Sequence, residues 1–76
     1  MRMNSYIGPK QRPIIEALKR GGLLWMRNGK WMLRSFVSIR SQNRERCMGL
    51  YLRGFVMHDT VDGWAIYRLT EKGKRA

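Results

Sequence analysis

Cys47 and His58 are the only thiol and the only imidazole in the 76-residue chain. A nucleophilic pair requires a thiolate activated by a base within hydrogen-bond reach. Cys47 lies in the run Cys47-Met48-Gly49-Leu50 and reads as core, and His58 reads as strand surface, so structural roles are expected for both. Asp59 and Asp62 stand close enough in sequence to share a cation, but an Asp- and Gly-bearing segment is first of all a turn. No metal-ligand spacing and no glycine-rich phosphate loop occurs. The chain is therefore read as a non-enzyme, with no cofactor and no metal.

The remaining chemistry is that of Arg, Gln and Asn. Gln42, Asn43, Arg44, Arg46 and Arg53 fall within one predicted helix, and Arg40 precedes it. Gln and Asn can bind adenine edges with two hydrogen bonds, and Arg can do the same with guanine. Glu45 is the only acid in that segment. Arg27 and Lys30 flank an Asn-Gly pair, where a basic tip can reach a phosphate or a minor groove. These eight residues are the candidate nucleic-acid contacts. An ordinary solvated face explains some of them equally well.

Composition points the same way. Sixteen Lys and Arg face five Asp and Glu, a net charge of +11. Such charge in a small fold repels itself, and an anionic polymer relieves it through counterion release. Twelve basic and two acidic residues lie in 1–57, against four and three in 58–76. Nucleic acid is the favoured partner, ahead of acidic protein surfaces or anionic membranes. A single cysteine excludes a disulfide framework within the chain and suits a reducing compartment. No apolar run has the length of a signal peptide or a membrane span, so a cytoplasmic protein without membrane attachment is expected.

The elements that must position these residues follow from pattern. Residues 1–9 read as an irregular arm and 10–76 as one domain. A helix is predicted over 10–20, with Pro13 in its first turn and Gly21-Gly22 as its stop. Leu23–Arg27 and Lys30–Arg34 flank Asn28-Gly29, a strong hairpin signal that sets Arg27 opposite Lys30 and Trp25 opposite Met32. That register puts Trp25 and Trp31 on different faces. Residues 35–40 either extend the second strand or start the next helix, with Ser38 or Ser41 as its cap. The helix runs from about Ser41 to Arg53, with Cys47, Leu50 and Tyr51 as its apolar stripe, and ends at Gly54. A strand over 55–58, a polar turn over Asp59–Gly63, a strand over 64–69 and a short final turn or helix capped by Thr70 complete the chain. Most of Trp25, Trp31 and Trp64 are expected to be buried, because so short a chain needs large side chains in its core.

The segment Leu50…Gly54-Phe55-Val56, followed by a hairpin and then Tyr67-Arg68-Leu69-Thr70-Glu71-Lys72-Gly73, resembles the winged-helix pattern over about residues 40–76. Gln11-Arg12 and Gly21-Gly22, with the same element order, are similar to the small YjhX-type bacterial proteins. The resemblance implies an α+β, winged-helix-like fold, ordered helix–hairpin–helix–hairpin with a short C-terminal tail. It makes the 41–53 helix the recognition helix and the hairpin after it the wing. One departure stands out: a Trp-bearing hairpin occupies the place of the second helix.

The expected function is nucleic-acid binding by a bacterial- or phage-type regulator or accessory factor. Duplex DNA is favoured, RNA is possible, and a homodimer would enlarge a small contact area. The rival reading is a phage- or toxin-type inhibitor that docks on a host protein.

Overall fold

The computed structural model describes residues 6–76. Three helices and five strands follow in the order α1 (Arg12–Lys19), β1 (Leu23–Arg27), β2 (Lys30–Arg34), β3 (Ile39–Gln42), α2 (Arg44–Leu52), β4 (Val56–Val61), β5 (Trp64–Leu69) and α3 (Glu71–Arg75). The class is α+β, as expected. The strands form one antiparallel sheet in the order β3-β2-β1-β5-β4.

Helix α1 starts one turn past Gly8-Pro9, with Pro13 in its first turn, where a missing N–H costs nothing. It stops at Gly21, whose φ of 91° suits glycine. The next residue is glycine for another reason: a Cβ on Gly22 would stand 2.6 Å from the Arg34 carbonyl oxygen and 2.7 Å from that of Ala17. The close approach lets α1 turn directly into β1 at the edge of β2.

The Asn28-Gly29 hairpin forms in the predicted register, with Arg27 opposite Lys30 and Trp25 opposite Met32. Both turn residues have positive φ. Residues 35–38 then fold into a turn closed by the Ser35 N–H donating to the Ser38 carbonyl. Ile39–Gln42 returns as a third strand against β2. The helix expected from about Ser41 therefore starts at Arg44. Its cap is Asn43, not Ser38 or Ser41, and the Asn43 Oδ1 accepts from the Arg46 N–H at 3.0 Å.

The second hairpin is longer than predicted. Asp59 and Thr60 belong to β4, and the turn is only Asp62-Gly63, both at positive φ. A two-residue Asp-Gly turn is sufficient to reverse the chain, so the strands run up to it. Thr70 caps α3 as expected, accepting from the Gly73 N–H at 3.1 Å.

Alternation sorts the strand residues between two faces. Leu24, Trp31, Leu33, Val56 and Tyr67 point to one side, where they join Ile14 and Ile15 of α1 and Cys47 and Leu50 of α2 in the core. Phe55 closes that core below α3, and Ile7, from the segment read as an arm, is buried in it too. The rest of that arm, residues 1–5, lies outside the described residues. The opposite face carries Leu23, Trp25, Met32, Trp64 and Ile66, none of which belongs to the core cluster. Trp31 is thus the buried member of the three tryptophans, while Trp25 and Trp64 are half-buried on the far side.

Candidate nucleic-acid interface

The eight candidate residues separate into four situations. Arg40 and Gln42 lie on β3, so Gln42 is a strand residue rather than the helix residue expected, and alternation turns both toward the α1 side of the sheet. There they meet Arg46 of α2 and Lys10, which precedes α1. These four line a groove of about 520 Å³ whose floor includes Ile14 and Leu33. No acidic residue is among its lining. The short third strand sets Arg40 and Gln42 on one face beside the N-terminal end of α2, next to Arg46.

Arg27 and Lys30 form the second group, facing each other beside the β1–β2 turn. Both are exposed, and the Arg27 guanidinium carbon lies 4.4 Å from the Trp64 ring centroid. That stacking orients a cation that an isolated turn would leave to wander.

Asn43 and Arg53 make up the third situation, and both are committed to the fold. Asn43 spends its side-chain acceptor on the helix cap. Each guanidinium nitrogen of Arg53 is engaged: Nε donates to the Gly49 carbonyl at 3.2 Å, Nη1 to the Tyr6 carbonyl at 2.7 Å and Nη2 to Gln11 Oε1 at 2.6 Å. Gln11 in turn accepts from the Gly8 N–H and donates to the Arg46 carbonyl. The pair ties the approach to α1 onto α2. Arg44 stands apart, exposed on α2 and outside the groove lining.

Electrostatic compensation is sparse. Arg12–Glu16, Arg68–Asp59 and Lys74–Glu71 pair at 3.3–3.7 Å, all on exposed side chains. Asp59, expected at an acidic hairpin tip, instead lies along β4 beside Arg68, and the tip holds one acid, Asp62. The cations of the groove and of the β1–β2 turn keep their charge without an acidic partner among the described residues.

Cys47 is fully buried, and burial pushes its thiol up to about 11, the Arg46 charge offsetting only part of that. A thiol held protonated is a poor nucleophile. His58 is exposed and packs against the Tyr51 and Tyr67 rings. Burial also raises Tyr67, with the neighbouring Tyr51 and Cys47 adding to it.

Two features escaped the residue-type reading. Phe36 and Val37, at the β2–β3 turn, are 97% and 84% exposed beside the groove. Their segment, expected to extend the second strand or start the next helix, is instead the exposed turn between β2 and β3. Lys10 is the other: only the fold brings it beside Arg40 and Arg46.

No family model matches the chain, and neither curated proteins nor solved structures give a significant match. Among the described residues, no helix is long and apolar enough to cross a membrane.

Proposed function

We propose that the protein binds nucleic acid, taking duplex DNA on its α2 side, and acts as a regulator or accessory factor. The observation that carries this reading is the groove in which Lys10, Arg40 and Arg46 converge with Gln42 and no acid. Arg supplies a planar fork for phosphate or guanine, and Gln42 supplies an amide suited to an adenine edge. Arg44 extends the basic surface along α2. In the winged-helix-like arrangement proposed here, α2 is the recognition helix and the β4–β5 hairpin after it is the wing. Strands β1 and β2, the Trp-bearing hairpin, take the position of a second helix, so α2 approaches DNA with the groove beside it. Two copies would give the contact area that one small module lacks.

The test is duplex binding by fluorescence anisotropy over a range of salt concentrations. Arg40→Gln with Arg46→Gln should weaken binding about tenfold or more and lower the log–log salt slope by about two. Unchanged affinity and slope would remove the groove from the interface. The exposed Phe36 and Val37 favour a second reading, a module that docks on a host protein, since exposed apolar groups mark such contacts. Weak retention on duplex DNA at low salt, with tight retention on one protein, would decide for it. Competition between RNA and DNA of one sequence separates the two nucleic acids.

A further inference from the structure

The face of the sheet turned away from the helices has its own construction. Leu23, Trp25, Arg34, Ile39, Trp64 and Ile66 line a shallow depression of about 280 Å³, and every one of them comes from a strand. Trp25 and Trp64 meet edge to face, their centroids 6.4 Å apart. They are diagonal neighbours on β1 and β5, since Trp25 pairs with Ile66. The Arg27 guanidinium lies over the Trp64 ring. Lys30 and Arg34 on β2 continue the cationic border. The acid on this face, Asp59, is paired with Arg68.

We infer that this face is a platform for single-stranded nucleic acid, with unpaired bases stacking on Trp25 and on the Arg27–Trp64 stack. Aromatic rings and guanidinium planes are the surfaces on which splayed bases lie, and flanking cations follow the phosphates. Charge selects this occupant over a second copy of the chain. Two identical faces brought together would gather the Arg27, Lys30 and Arg34 cations of both molecules into one interface, on molecules that each carry +11. A duplex hides the base faces within its stack, so the platform discriminates by strandedness. The surface is separate from the groove, and the inference stands beside the duplex reading, not on it.

Intrinsic fluorescence tests it directly. Trp31 is 4% exposed in the core, so quenching on binding reports Trp25 and Trp64. A short oligothymidylate should quench saturably, and Trp25→Leu should weaken that binding about tenfold or more. Arg27→Glu, at an exposed position, should do the same without touching the core. Arg40→Gln with Arg46→Gln should leave the quenching constant in place while lowering duplex affinity. Absence of quenching by the oligothymidylate would overturn the platform. So would equal quenching by inorganic polyphosphate, which has the charges but no bases, or a dimer in sedimentation that Arg27→Glu dissociates. Loss of duplex binding in the groove variant with the quenching constant unchanged bears on the groove alone, whereas an equal loss of both would merge the two surfaces and overturn a separate platform.

Discussion

A guanidinium holds five donors in one plane, and Arg53 distributes that fork over Gly49, Tyr6 and Gln11. Lysine keeps the charge but not the fork. Arg53→Lys should therefore lower the urea midpoint by an amount equal to about 1–3 kcal/mol, while duplex affinity changes little. A loss of affinity with unchanged stability would return Arg53 to the interface. Cys47 makes a different prediction. Its thiol ionises near 9 when free and near 11 in the fold. Below pH 9 both states keep the proton. Above it the unfolded chain releases the proton first, so this group's support for the fold is lost as pH rises from about 9 to about 11. The slope there is about 1.4 kcal/mol per pH unit. Tyr67 acts in the same direction. Urea titrations across this range should show a shallower decline for Cys47→Ala than for the parent, and parallel curves would refute the assignment.

Among the elements, α3 depends on a single missing side chain. A Cβ on Gly73 would fall 2.1 Å from the Phe55 carbonyl oxygen and 2.9 Å from Leu69 Cδ2. That oxygen already accepts from the Thr70 N–H at 3.1 Å. Gly73→Ala should undock α3 or cost about 1–3 kcal/mol, seen as a lower melting temperature and faster amide exchange at Thr70. An unshifted melting curve would show that the helix adjusts freely. The sequence made most elements readable through strong local signals: Pro13 and Gly21 for α1, Asn28-Gly29 for the first hairpin, Thr70 for α3. Strand β3 had none. Ile-Arg-Ser-Gln offers one apolar residue, and Ile39 is itself exposed, so this edge strand carries no buried-face alternation to read. The shift of α2's start from Ser41 to Arg44 follows from that strand, because Ser41 and Gln42 are already paired with Met32 and Trp31.

For the whole molecule, the excess of Arg over acid was plain from composition, but its sidedness was not. Which cations share a surface depends on two long-range placements. Packing of the segment before α1 brings Lys10 to Arg40 and Arg46, and β5 brings Trp64 to Trp25 and Arg27. Neither placement is written in local spacing. The result is two separate cationic surfaces, one on each side of the sheet.

The position of β5 between β1 and β4 also governs how the chain can be assembled. The central ladder joins residues 24–26 to residues 65–67. During synthesis, the β1–β2–β3 piece emerges first with the β1 edge bare and Leu24 and Trp31 waiting for Tyr67. Closure of that long loop is nonlocal, a kind of step that is slow relative to hairpin formation. Until Trp64–Leu69 arrives, the open strand edge is the place where a nascent chain would pair with another copy or be held by a chaperone.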